Sequence, residues 1–179
     1  MKALITCLVL AACALGSAQA AVFQSVAVER SSITFSYKQM GVPMQGRFGK
    51  FTAQLNLDTE KADRASGRID IDLASIDAGS ADAHQELAGK TWFHVAAHPL
   101  ASYVLQGLRE TGPARYEALG RLTIKGRTKE LRTPLTLTKN GISGSLVVNR
   151  ADFAIGEGMW AKPDIVGNEI QVTFNLTLN

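Results

Sequence analysis

The chain has 179 residues, 46% of them hydrophobic and 20% charged, with 16 Gly and 5 Pro. That is about one globular domain, and it excludes disorder, collagen-like repeats and low complexity. Nineteen basic against sixteen acidic residues give a net charge of +3, too small to argue for nucleic acid, and 7% aromatic residues with three His argue against a cofactor-rich or His-metal protein.

An export segment comes first. Met1-Lys2 supplies a positive charge, and Ala3 to Gly16 is a mainly apolar run too short to span a bilayer. Ser17-Ala18-Gln19-Ala20 then carries the A-x-A pattern of a signal peptidase site. Residues 1–20 are expected to be a signal peptide cleaved after Ala20, and residues 21–179 the folded domain. Removing 20 of 179 residues leaves 159. Both cysteines, Cys7 and Cys13, fall in the removed part, so the mature domain is expected to have no thiol or disulfide chemistry. A competing reading takes Leu10-Ala11-Ala12-Cys13 as a lipobox, with the protein anchored through a lipidated Cys13.

Eight runs of alternating apolar and polar residues follow, the signature of half-buried strands. They are built on Ile33/Phe35/Tyr37, Phe51/Ala53/Leu55/Leu57, Ile69/Ile71/Leu73 and Ala101/Tyr103/Leu105. The remaining four rest on Leu122/Ile124, Leu135/Leu137, Ile142/Gly144/Leu146/Val148 and Ile170/Val172/Phe174/Leu176/Leu178. Turn residues separate them, among them Glu110-Thr111-Gly112-Pro113, Lys125-Gly126 and Lys139-Asn140-Gly141, and Asn140-Gly141 is a strong hairpin signal. Ser80 to Lys90, rich in Ala, Glu and Gln, reads as the one helix, with Ser80 or Asp82 as N-cap. The expected class is all-β: an eight-stranded antiparallel barrel with one short helix, closed so that no strand edge is left exposed. A sandwich gives the same alternation. A barrel of eight strands is filled by side chains or holds one small ligand.

Little of the sequence points to reaction chemistry. His94 and His98 have i, i+4 spacing, but Pro99 disfavours a helix there and no third ligand is in view, so they read as loop residues. Asp70 and Asp72 share the polar face of a strand, which makes them a solvated face rather than an acid–base pair; Asp77 follows on the same stretch. No nucleophile elbow, P-loop or dinucleotide fingerprint occurs, and neither an enzyme nor a cofactor is expected. Seven bases between Arg109 and Arg132 read as a solvated basic face, or alternatively as a contact for anionic head groups or an acidic partner. Aromatic and Met residues crowd three stretches, around Phe35 to Phe51, at Trp92, Phe93 and Tyr103, and at Phe153, Met159 and Trp160. Core packing is the default for these, and in a closed barrel core and pocket share the same residues.

Six local patterns, in order, make the chain similar to the YceI-like family of lipocalin-like, polyisoprenoid-binding periplasmic proteins. Ser31-Ser32-Ile33-Thr34-Phe35 resembles its HSxIxF opening, and Gly46-Arg47-Phe48 with Phe51 its GxFxxF element. Ile69 to Asp77 resembles its SI-containing strand, and Trp92-Phe93 with His98-Pro99 and Tyr103 its FxxxxxPxxxF. Gly120-Arg121-Leu122-Thr123-Ile124-Lys125-Gly126-Arg127-Thr128-Lys129 resembles GxLTIxGxTK, and Arg150 to Gly156 resembles RxDFGIG. Ser31, Lys38-Gln39-Met40-Gly41-Val42, Lys125 and Ala154 depart from the usual residues, resembling a subgroup associated with cytochrome b561-type membrane proteins.

The resemblance implies an exported lipocalin-like barrel holding an isoprenoid or other long-chain lipid, such as an isoprenoid quinone, for transport, storage or sequestration. Phe35, Tyr37, Phe51, Ile71, Tyr103, Leu105, Ile124, Phe153 and Phe174 are expected to line the lumen. Arg150 and Asp152 are expected to form a structural pair. The competing expectation is an interaction module for a b-type membrane cytochrome, using Arg121, Lys125 and Arg127. A second copy of the chain is a further candidate partner.

Overall fold

A computed structural model describes residues 22–179; the expected signal peptide with its expected cleavage site, and Cys7 and Cys13, lie outside the described residues. Eleven strands form one sheet: β1 (Val22–Ser25), β2 (Ser32–Gln39), β3 (Val42–Phe48), β4 (Phe51–Asp58), β5 (Ser66–Asp72), β6 (Ile76–Asp77), β7 (Leu100–Gly112), β8 (Arg115–Ile124), β9 (Arg127–Thr138), β10 (Gly141–Asn149) and β11 (Glu169–Thr177). Every neighbouring pair is antiparallel, in the order β1-β4-β5-β7-β8-β9-β10-β11-β2-β3-β6. The sheet curls back on itself. Val26, just after β1, bridges Leu178 just after β11, and the Ala27 and Asn179 amides donate to the carbonyls of Thr177 and Ser25. Ser31 locks the same corner: its Oγ donates to the Ala27 carbonyl at 2.7 Å and accepts from the Thr177 amide at 2.9 Å.

The expected strand count of eight is corrected to eleven among the described residues. The eight are β2, β4, β5 and β7 to β11. β1, β3 and β6 are additional, and each has a physical reason for escaping the alternation pattern. β1 buries only Phe23, and β6 is two residues long. β3 carries Pro43, and Gly46 stands where the alternation calls for an apolar side chain.

Turns and helix follow the local chemistry. Lys125 (φ 49°) and Gly126 (φ 73°) form the two-residue connection between β8 and β9, with both residues in the left-handed region that suits the twist of a hairpin. The Asn140-Gly141 hairpin is displaced by one residue: Gly141 already pairs with Thr138, so Lys139 and Asn140 make the turn. α1 (Ala81–Ala88) starts where Ser80 Oγ accepts from the Ala83 amide at 3.1 Å. His94 and His98 lie in the irregular segment after it, as expected of loop residues. Their ring centroids are 5.8 Å apart, edge to face, and no group of three or more His, Cys, Asp or Glu among the described residues could hold a metal ion.

The acidic strand face is held by local bonds. Arg68 Nε donates to Asp70 Oδ2 at 2.6 Å, Ser102 Oγ donates to Asp70 Oδ1, and Asp72 accepts from the Ala74 amide. The hydrogen bond from Arg68 holds the Asp70 carboxyl below its usual range; Ser102 adds to this and partial burial opposes it. A carboxylate with a lower pKa folded than unfolded stabilises the fold where the unfolded chain has already lost its proton. That contribution fades as pH falls through the folded pKa. Asp70→Asn is therefore expected to lower the melting temperature modestly at pH 7, and to lose that effect as the pH drops below about 4. Thermal melts of both proteins across pH 2–7 check this; a deficit that persists at pH 2 contradicts it.

Candidate functional site

Inside the curled sheet is a cavity of about 770 Å³, within the range of small-molecule sites. Its wall is made by inward-parity residues of ten strands' worth of alternation, and the wall residues show what kind of space it is. Phe35, Tyr37, Ile69, Ile71, Tyr103, Leu105, Leu146, Val172 and Phe174 all point inward, yet each is only partly buried. Apolar side chains inside a barrel that keep accessible surface are not finishing a core; they face a lumen. Two packed clusters surround it, one centred on Leu57, Leu108 and Leu176, the other on Leu73, Trp92 and Phe153.

Seven of the nine residues expected in the lumen lie on this wall: Phe35, Tyr37, Ile71, Tyr103, Leu105, Ile124 and Phe174. Phe51 and Phe153 do not. Phe51 is 9% and Phe153 1% exposed, each packed inside a cluster. Strand parity tells inward from outward, but not where along the axis the barrel is filled. Wall residues outside the expected set include Ile69, Leu146 and Val172 on the strands, and Leu87, Trp92, Phe93 and Trp160 from α1 and the segments after it. The three aromatic ones signal themselves only by crowding in stretches without alternation. Met40 and Met159, counted with those crowded stretches as core, are instead 72% and 70% exposed.

The cavity reaches the surface beside α1, where its lining includes the exposed residues Gly79, Ser80, Asp82 and Glu86. Across α1 lies the segment 155–167. Trp160 Nε1 donates to Glu86 Oε1 at 2.8 Å, joining the two, and the Trp92 and Trp160 rings are 5.7 Å apart. Arg150 organises this segment from within. It is 3% exposed and donates to five carbonyls: Nε to Gly167, Nη1 to Ile155 and Gly156, Nη2 to Trp160 and Val166, at 2.7 to 3.0 Å. Burial pushes the guanidinium pKa down, and among the described residues it has no carboxylate partner; the carbonyl dipoles solvate it. The expected Arg150–Asp152 pair is thus corrected. In the tight turn at Arg150–Phe153 the two side chains part: Arg150 goes inward, while Asp152 faces Lys129 at 3.9 Å on the surface.

Lys125 is likewise not part of an outward basic face. Its side chain is 10% exposed, and Nζ donates to the carbonyls of Lys90 and Ala154 and to Glu157 Oε2 at 2.7 to 2.9 Å. That hydrogen bond is the main reason the Glu157 carboxyl is held below its usual range. Arg109 and Arg132 both donate to Glu117 Oε1. The basic stretch is therefore partly neutralised by its own neighbours.

Within the wall, polar atoms are few. Burial raises the pKa of the Tyr37 and Tyr103 hydroxyls, so both stay neutral. Tyr103 Oη and Thr133 Oγ1 are close enough to interact, but among the described residues neither forms a hydrogen bond of ordinary geometry, and Trp92 Nε1 has no partner there. Such a space is suited to apolar matter.

Residues 25–178 match the model of the YceI-like domain. The chain belongs to the YceI-like family. Among its relatives, a UPF0312 protein of Azotobacter vinelandii is 25% identical over 165 residues, covering 82% of this chain and 86% of that protein. A UPF0312 protein of Pseudomonas syringae pv. syringae is 24% identical over the same length. Burkholderia cenocepacia BcnA superposes with a TM-score of 0.84 at 34% identity, over 87% of this chain and 100% of that one. A polyisoprenoid binding domain from Saccharophagus degradans shares the fold at 17% identity, with a TM-score of 0.67 over 89% of this chain and 99% of the domain. The YceI-like lipocalin-like barrel is thereby the fold of this chain, with one short helix as expected.

Proposed function

We propose that this YceI-like protein is an exported, periplasmic binding protein that holds one isoprenoid or other long-chain lipid in its barrel. The observation carrying this reading is the continuous apolar wall, with Phe35, Tyr37, Ile71, Tyr103, Leu105, Ile124 and Phe174 facing one enclosed space. Each methylene taken from water into that space contributes up to about 0.8 kcal/mol. Association and chain-ordering costs bring the sum back to ordinary affinities. The polyisoprenoid binding named for the Saccharophagus domain supports the ligand class. Holding the lipid serves transport, storage or sequestration and needs no catalytic group.

A thermal-shift titration tests the proposal. A ligand present at 100 times its dissociation constant adds about 2.7 kcal/mol to the folded state. For a domain of this size that raises the melting temperature by about 5–11 °C. The expected result is such a rise with a polyprenyl phosphate or an isoprenoid quinone and none with the free head groups. No rise with any long-chain lipid overturns the proposal.

A further inference from the structure

Three aromatic rings of the cavity wall lie on glycines of the neighbouring strand. Phe35 on β2 lies on Gly46 of β3, its register partner, and Phe174 on β11 lies on Gly144 of β10, again its partner. Tyr103 on β7 lies on Gly120 of β8, next to its partner Leu122. A β-carbon at Gly46 or Gly120 would overlap ring atoms of Phe35 or Tyr103, and one at Gly144 would come within 2.6 Å of Phe174 Cζ. All three glycines occupy inward positions, in step with Met44 and Phe48, with Ala118 and Leu122, and with Ile142 and Leu146. Glycine inside a strand weakens it, so the usual reason for one is a close approach by something else. Here the approaching group is the tip of an aromatic side chain from the strand beside it, Cζ of Phe35 and Phe174 and Cζ with Oη of Tyr103.

A ring whose tip occupies the place of a β-carbon sits close against the wall; a β-carbon there would push it into the bore. Phe35 and Tyr103 pack against the same apolar cluster from seats separated by β9, β10 and β11, so they bound the cavity from different walls. Building on the lipid-binding reading above, we infer that Gly46 and Gly120 are specificity-determining residues: by letting Phe35 and Tyr103 sit close against the wall, they keep the bore wide enough for a methyl-branched chain, whereas a straight chain would pass without them. Gly120 is the site that isolates the effect. Its nearest contacts are all atoms of the Tyr103 phenol, Cζ, Oη and Cε2, whereas a side chain at Gly46 or Gly144 would also press on a backbone carbonyl, of Asp77 or Pro134.

The test uses phytanic and palmitic acids, which share a carboxylate and a sixteen-carbon backbone and differ in the methyl branches. Affinities come from displacement of a fluorescent fatty acid from the delipidated whole protein. The wild type should bind phytanic acid at least as well as palmitic acid. In Gly120→Ala the phytanic affinity should fall by tenfold or more and the palmitic affinity by less than threefold, and adding Tyr103→Leu should restore the phytanic affinity. If Gly120→Ala does not fold, Tyr103→Trp, with a larger ring on the same seat, should show the same split. Equal losses for both acids, or no loss for either, overturn the inference while the lipid-binding reading stands. A wild type that binds neither acid, nor any polyprenyl lipid, overturns both.

Discussion

Arg150→Met should lower the melting temperature by about 8–16 °C, the largest loss expected from any single substitution in the barrel. Arg150 is the one buried cation among the described residues, and its five donors satisfy five carbonyls of the segment 155–167. Met fills the volume but donates nothing. Stranding several buried acceptors, or breaking a buried charged network, costs about 3–5 kcal/mol. At 2–4 °C per kcal/mol for a domain of this size, about 4 kcal/mol gives the stated range. Arg150→Lys should recover only part of the loss, because three donors on one nitrogen cannot reach five carbonyls set around a planar fork. The segment also covers the cavity through Trp160, so ligand retention should fall with stability. A calorimetric scan showing Arg150→Met within about 2 °C of wild type would refute this account of the segment.

The second large effect is on binding. Val172 lies on the cavity wall, paired with Phe35 of β2 on one side and Leu146 of β10 on the other. Val172→Trp puts an indole into the lumen, where space exists to receive it. The fold is expected to hold, with a melting temperature close to wild type. An occupant of the lumen must then be displaced or compressed, and overpacking costs about 1–3 kcal/mol. At about 1.4 kcal/mol per tenfold, affinity for a long-chain lipid should fall by about 5- to 150-fold. Thr173, the next residue, is exposed on the outer face, and Thr173→Trp should leave affinity unchanged. The pair is a parity test: adjacent residues, the same new side chain, opposite faces of one strand. Equal affinities in the two variants would place the ligand outside the barrel.

How far the sequence discloses this molecule depends on the kind of interaction. Long alternating strands such as β11 are plain, because period 2 is written residue by residue. α1 is plain because Ser80 caps it locally. β3 is hidden because Gly46 interrupts its apolar parity, and the ring that fills the gap, Phe35, belongs to another strand. Parity agrees with the seven expected residues found on the cavity wall, but Phe51 falls where the barrel is packed solid, an axial position set by the closed sheet, and Phe153 lies in the turn after β10, where no alternation runs. The partners of Arg150 are backbone carbonyls, which every residue carries, so no pattern of residue types could announce them. A nearby acid, Asp152, is the natural candidate on spacing, and the tight turn sends it the other way. Lys125 misleads for a similar reason: a base at a hairpin tip reads as exposed until the segments it ties, at Lys90, Ala154 and Glu157, fold over it.

The central claim is that the barrel holds a lipid, and the most direct measurement is the native mass of the protein isolated from its own host beside that of Val172→Trp. The wild type should carry additional mass that is released by organic extraction as a long-chain lipid, and Val172→Trp should carry little or none. A wild type that reproducibly shows only the mass of the polypeptide, or a Val172→Trp variant carrying the same lipid at the same occupancy, would contradict it.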